Sequence, residues 1–448
     1  MEKLQAIFET VGGWVWGPAM LILLVGTGVL LTVRLKGLQF TKLPMALRQA
    51  FTHTPGQEKE KGDVSHFGAL MTALSATIGT GNIAGVATAV VLGGPGAVFW
   101  MWITAIFGMA TKYAEGILAV HYRITDARGE MAGGPMYYIE RGLNMKWLAV
   151  LFAFFAVIAS FGIGSSVQSN SVAESIYTSF GIEHTLTGVV LTILTAIVIL
   201  GGIKSIARAA SIIVPVMAVV YVLGGLIIIG FNLEKLLPAL SLIFTDAFTG
   251  SAVAGGALGT VIRYGVARGV FSNEAGMGSA PIAAAAAKTD HAGRQALVSM
   301  TGTFLDTIVV CSITGIVLVM AGQYADGSTG AALTTHSFNS MLPGWGGYIV
   351  TFGLVFFAYS TILGWCYYGE KCAAYLLGTR AVLPYRVIYV ASVMMGTIAS
   401  LDLVWAASDT FNGLMAIPNL IALLLLSGVV VKETKDFFNK IESGQLPK

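Results

Sequence analysis

Long apolar runs alternate with short polar segments along the whole chain. Eleven such runs stand out, at approximately 14–36, 66–92, 95–121, 146–180, 187–203, 208–232, 250–287, 294–322, 345–376, 385–401 and 405–431. A helix rises about 1.5 Å per residue, so roughly 20 apolar residues cross a hydrocarbon core about 30 Å thick. The pattern predicts an all-α integral membrane protein with about eleven transmembrane helices. The opening residues, MEKLQAIFETVGGW, lack the basic stretch and cleavage site of a secretory signal and read as an amphipathic lead-in to the first span.

Two runs are interrupted. Thr72–Gly85 reads TALSATIGTGNIAG, and Val270–Ala280 reads VFSNEAGMGSA. Glycine costs about 1 kcal/mol relative to alanine inside a helix. Small hydroxyls and amides compete for backbone hydrogen bonds. Close packing through small residues explains a glycine stripe, but less well a mixture of Gly-x-Gly with Asn, Ser and Glu. Irregular backbone at membrane depth is tolerated only where protein encloses it or it lines a cavity. Both segments are therefore expected to be discontinuous helices, in spans 2 and 7.

Five spans separate the two breaks. If span 1 is an addition, spans 2–6 and 7–11 form two five-helix halves, each opening on a broken helix. An odd repeat length puts the halves in opposite orientations, the inverted-repeat transporter plan with its site at the midplane. The expected organisation is residues 1–65 as N-terminal helix and amphipathic connector, 66–232 as the first repeat, 250–431 as the second, and 432–448 as a cytoplasmic tail. No residue identity between the halves supports the repeat.

Composition agrees. Hydrophobic residues make up 55% and charged residues 11% of 448, where a soluble domain carries about 25% charged residues. Most of the 26 basic residues fall in loops on one side, with little beyond Lys3 and Lys235 on the other. The positive-inside rule then puts the C-terminus in the cytoplasm and the N-terminus outside a cell membrane. A net charge of +3 gives no footing for nucleic acid. Cys311, Cys366 and Cys372 form no CxxC, which argues against a zinc site or disulfide framework. The six histidines fall in loops or at helix ends, with no nucleophile–base arrangement, so an enzyme is not expected. A channel would show a repeated filter or a charged ring.

The string GGPGAVFWMWITAIFG at 93–108 is specific. Together with SATIGTGNIAG, GEMAGGPMYYIERGL at 129–143 and GVARGVFSNEAGMGSAPIAAAAAKT at 265–289, it resembles the alanine/glycine:cation symporter family from about Trp14 to Val431. The resemblance implies a LeuT-type 5+5 inverted repeat and sodium-coupled uptake of alanine or glycine. A proton-coupled transporter of the same fold is the nearest alternative. An amino-acid-gated channel or sensor and a membrane-embedded enzyme are more distant ones.

A zwitterionic amino acid suits a broken helix. Free N–H groups begin the second half and attract a carboxylate, while free carbonyls end the first half. The amides around Gly79, Thr80 and Gly81 are expected to take the carboxylate. Carbonyls near Thr77, Phe271 and Ser272 would take the ammonium, with Asn273 as a side-chain partner. By similarity to the family, Gln168 contacts the substrate; a helix–helix hydrogen bond is the plainer alternative. Phe271 and Trp365 could close over a methyl group, although aromatic residues in spans commonly just pack.

Sodium prefers oxygen ligands. Ser360 and Thr361 with the Phe357 carbonyl form an i, i+3, i+4 cluster, and the Ser75 and Ile78 carbonyls would complete a site that matches the LeuT-type arrangement by position. The same hydroxyls could instead bond back to their own helix. Asn82 with Thr301 or Thr303 is a weaker candidate for a second ion. Lys112 and Glu115, at i, i+3, are expected to pair with each other or near the inner surface. Glu174 is expected near the outer mouth, and Glu274 to clamp the second break. Asp306 is an intramembrane charge that needs an explanation.

Overall fold

The computed structural model describes residues 2–52, 59–249, 258–398 and 402–447. Almost everything in them is helical. In chain order the principal helices are α1 (Glu2–Val15), α2 (Pro18–Arg34), α3 (His66–Thr77), α4 (Gly81–Gly93), α5 (Ala97–His121), α6 (Lys146–Phe180), α7 (His184–Leu200) and α8 (Gly202–Phe231). They continue as α9 (Leu233–Thr249), α10 (Leu258–Asn273), α11 (Ala280–Ala284), α12 (Ala292–Ala321), α13 (Gly330–Met341), α14 (Gly346–Leu377), α15 (Val382–Ile398), α16 (Asp402–Leu425) and α17 (Ser427–Glu442). Among the described residues, seven helices are long and apolar enough to cross a membrane, or nine if each of two bent pairs counts as one span. The bent pairs are α1 with α2 at 41° and α3 with α4 at 53°, and α7 is a shorter apolar helix.

Helix ends follow local chemistry. The Ser65 hydroxyl caps α3 by accepting the Gly68 N–H at 3.0 Å. Pro18 opens α2, where its missing N–H costs nothing. Gly181 and Gly322 stop α6 and α12 in the left-handed region, at φ 68° and 70°.

The two halves of the chain pack reciprocally. Broken helices aside, α5 lies on α12, α6 on α14 and α7 on α15. In addition, α8 packs on α14 and α16 on α6. Outer helices α7 and α8 expose Ile193, Ile197, Val216 and Val220, as a lipid-facing surface does. Among the described residues, stretches of π-helix at Gly81–Gly85, Ser160–Ser166 and Phe304–Cys311 lie deep in the bundle. Such turns re-aim side chains and favour functional positions.

One end of the bundle is tied shut. A two-stranded ribbon follows α5, β1 (Ile124–Thr125) paired antiparallel with β2 (Met131–Ala132). Asp63 and Val64, just before α3, bond to the chain just after α11: both N–H groups donate to Ala286 O, at 2.8 and 3.2 Å, and Lys288 N donates to Val64 O at 2.7 Å. Gly62 lies so close to Lys288 that no side chain would fit there. Arg123 fastens the junction, donating to Lys61 O at 2.9 Å, Ala285 O at 2.9 Å and Ala287 O at 2.6 Å. Beside it, Lys371 pairs with Asp126 and Glu130, and Arg386 with Glu370.

Candidate substrate and cation site at two broken helices

The sequence interrupts both helices where glycine and amides crowd. In the first, α3 stops at Thr77, Ile78 turns to an extended conformation with φ −76° and ψ 94°, and helical winding resumes at Gly81. The Gly79 N–H donates to Asn82 Oδ1 at 2.9 Å, while the Thr80 N–H reaches only Gln168 Oε1, at 3.5 Å. Gln168 Nε2 donates to Ile163 O at 2.9 Å and to Thr80 Oγ1 at 3.2 Å. Gln168, Gly79, Thr80 and Gly81 are thus one neighbourhood. The Phe271 ring closes it, within 3.3 Å of where a Cβ on Gly81 would sit. The Thr77 hydroxyl bonds back to Ala73 O and Leu74 O, so only its backbone is left to face the break.

The expected sodium ligands converge from two helices. Ser360 Oγ lies 2.9 Å from Phe357 O and 3.3 Å from Ser75 O. Thr361 Oγ1 lies 2.9 Å from Phe357 O and 3.4 Å from Ile78 O. These hydroxyls do bond back to their own helix, yet each also reaches a carbonyl at the end of α3. The cluster touches the neighbourhood of the first break directly, because a Cβ on Gly79 would collide with Thr361 Oγ1 at 2.5 Å. Five oxygens gathered in this way are the kind of donor set a hard cation takes.

The second break runs from Glu274 to Ser279, between α10 and α11. Its backbone depends on residues at positive φ: Glu274 at 55°, Gly276 at 88° and Gly278 at 84°. Glu274 Oε2 accepts from Ser279 Oγ at 2.5 Å, spanning the break. Glu115 behaves otherwise than its spacing suggests. It makes no ion pair with Lys112; its Oε1 accepts from Gly278 N at 3.2 Å and Asn419 Nδ2 at 2.7 Å. Asn419 also donates to Gly276 O at 2.9 Å and accepts from Tyr138. The Gly278 N–H in the break and the Asn419 amide reach the carboxylate, and the Lys112 ammonium does not.

One expected contact is spent elsewhere. The Asn273 amide is used within its own break, its Nδ2 donating to Thr307 Oγ1 at 3.1 Å and its Oδ1 accepting from Ala275 N at 2.9 Å. It shapes the turn and is not free for an ammonium. Trp365 is buried against Gly164 and Tyr368.

Asp306 gains a setting that the sequence did not disclose. Asn82 Nδ2 donates to its Oδ1 at 2.7 Å, and Ser272 Oγ and Thr307 Oγ1 donate to its Oδ2 at 2.9 and 2.7 Å. The carboxylate is fully buried, and among the described residues no basic side chain forms an ion pair with it. Thr301 and Thr303 are not in this nest: Thr301 bonds to Val298 O and the Thr303 hydroxyl has no partner. The pairing of Asn82 with either threonine is therefore replaced by Asn82 with Asp306 and Ser272.

Comparison with known proteins adds to this geometry. The model of the sodium:alanine symporter family matches residues 1–448. The sodium/alanine symporter AgcS of Methanococcus maripaludis is 61% identical over 98% of both chains. The probable sodium/glutamine symporter GlnT of Bacillus subtilis is 39% identical over 99% of this chain and 94% of its own. Among solved structures, MhsT in complex with L-phenylalanine superposes with a TM-score of 0.56 at 16% identity, covering 83% of this chain and 98% of its own. That likeness shows a LeuT-like inverted-repeat membrane fold with discontinuous helices.

Proposed function

Because the chain belongs to the sodium:alanine symporter family, we propose that it is a secondary active transporter coupling sodium to uptake of a small neutral amino acid, alanine or glycine, by alternating access. It works as a multi-pass protein of the cell membrane. The observation that carries the reading is the meeting, at one helix break, of weakly satisfied N–H groups, the Gln168 amide and five converging oxygens.

The amino-acid carboxylate sits on the amides of Gly79, Thr80 and Gly81, with Gln168 beside it. Carbonyls of Thr77, Phe271 and Ser272 receive the ammonium, Phe271 and Trp365 bound the side-chain space, and Asn273 holds the turn. Sodium, as co-transported cargo, lies among Ser75, Ile78, Phe357, Ser360 and Thr361. The buried charge of Asp306 favours a second cation near Asn82 and Ser272. The eleven-span count joins α1 with α2, α3 with α4 and α10 with α11, and includes α7. It gives halves 66–232 and 250–431, which the reciprocal packing supports. The C-terminus is cytoplasmic and the N-terminus outside, on the charge of the loops.

Purified protein in liposomes should accumulate labelled alanine when an inward sodium gradient is imposed. Equal uptake on a proton gradient without sodium would overturn the cation; no uptake on either would overturn transport. Thr361→Ala should raise the sodium concentration for half-maximal uptake about ten-fold, as loss of a hydrogen-bonding group to a charge does. Unchanged sodium activation would place the ion elsewhere.

A further inference from the structure

Away from the breaks, two segments distant in sequence leave the bundle side by side. Helix α2 ends on Arg34 and α17 begins on Ser427, and Arg34 Nη1 donates to Ser427 Oγ at 2.5 Å. Past α2 the chain turns through Lys36 and Gly37, at φ 55° and 65°, into two short helices, Leu38–Thr41 and Leu43–Phe51. Gln39 fastens this connector from behind, its Nε2 donating to Thr32 Oγ1 at 2.8 Å. Farther along, Lys42 Nζ stands 4.8 Å from the centre of the Phe438 ring. Residues 34–42 therefore run beside α17 from Ser427 to Phe438, roughly 16 Å of helix at 1.5 Å per residue.

Both sides of this seam are basic. Residues 34–52 include Arg34, Lys36, Lys42 and Arg48 and no acidic side chain. On α17, Lys432 and Lys435 share the exposed stripe, opposite buried Val430, Thr434 and Phe437. The acids between them turn to another side of the helix. Glu433 lies 3.5 Å from His121, and Asp436 lies 2.9 Å from His291. Lys36, Lys432 and Lys435 are exposed, and among the described residues none of the three makes a hydrogen bond or ion pair. Lys36 also occupies a left-handed backbone position that glycine or asparagine fills at less cost. The neighbouring side chains fix the depth. Phe40 and Leu425 are exposed at 60% and 61%. Bare apolar side chains next to exposed lysines mark the level where hydrocarbon gives way to headgroups.

We propose that this seam binds one anionic phospholipid, with its phosphate between Lys36 and the Lys432–Lys435 stripe and its acyl chains over Phe40 and Leu425. Each basic residue at a membrane surface is worth about five-fold in affinity for anionic lipid, so three unpaired lysines at one seam select one headgroup. A free phosphate ion meets the same charges but gains nothing from the apolar residues beside them. A phosphatidylcholine headgroup brings its own cation and loses the net attraction. Both the connector and α17 pack on the start of α12, the helix that carries Asp306. The lipid therefore braces that end of α12 from two sides. The inference goes beyond the transport reading and holds whichever way the chain faces.

Native mass spectrometry of the full chain in a neutral detergent, titrated with phosphatidylglycerol or with phosphatidylcholine of the same chain length, tests this. One phosphatidylglycerol should be held at least ten-fold more tightly than phosphatidylcholine and than any further phosphatidylglycerol. Lys36→Gln, Lys432→Gln and Lys435→Gln together should weaken that first lipid at least ten-fold, while arginine at the same three positions should keep most of the affinity. Lys204→Gln with Arg208→Gln, exposed bases on the first turns of α8, should change nothing. No preference for phosphatidylglycerol in the wild-type chain, or an equal loss in both sets of variants, overturns the site, since the attraction then belongs to the basic surface as a whole. Inorganic phosphate should fail to displace the lipid; displacement at matched concentration reduces the seam to an anion site and overturns the lipid. All the substituted side chains are exposed, and an unchanged melting temperature in detergent shows that each variant is folded.

Discussion

The two broken helices look alike in sequence and differ in how their free backbone groups are served. In the second break the protein supplies its own anion: Glu115 takes the Gly278 N–H, and Asn419 takes the Gly276 carbonyl. Three residues at positive φ fix the chain there. In the first break no residue has positive φ, and the Thr80 N–H has only a partner at 3.5 Å. Glycine serves geometry in one break and access in the other. A break filled from within is a structural joint, whereas a break with poorly served donors is ready for a ligand's carboxylate.

The comparison can be broken most forcefully at Glu115. Glu115→Ala strips the Gly278 N–H and Asn419 of their acceptor in a buried setting, and the loss should be about 3–5 kcal/mol of stability. Thermal unfolding in detergent should show it, and near-wild-type stability would mean that the second break does not need its internal anion. Gly278→Ala comes next. Its left-handed φ costs an L-residue about 1–2 kcal/mol, and the new Cβ meets Pro135 and Phe152 at 2.7 and 2.8 Å. Gly79→Ala should lower stability less but abolish sodium-dependent alanine binding, since its Cβ enters the Thr361 hydroxyl. If both glycine variants lose stability and binding in equal measure, the division between joint and site fails. The smallest effect on the fold is expected from Gln168→Ala. It should leave the melting temperature nearly unchanged and weaken alanine binding by about 1–2 kcal/mol; isothermal titration showing unaltered affinity would remove Gln168 from the site.

Both breaks could be located from the chain because glycine, serine and asparagine are out of place in an apolar run. The oxygen cluster was legible too, since Phe357, Ser360 and Thr361 share a helix face. What escaped are partnerships across the fold. Glu115 sits three residues from Lys112, a spacing that suggests a pair, but its partner Asn419 is 304 positions away. Asp306 finds Asn82 across 224 positions. No local rule encodes such contacts, which exist only once the two halves have packed. Asn273 misled for the opposite reason: a short amide beside a turn bonds its own backbone, here the Ala275 N–H, before it can serve a ligand.

Arg123 has a consequence for timing. Its guanidinium grips the strand entering α3 and the strand leaving α11 at once, and the backbone pairing of Val64 with Ala287 runs through the same spot. Neither broken helix can swing away at this end while the other stays put. Opening on that side is therefore a joint event, in which the first break cannot part from the scaffold without drawing the second along with it.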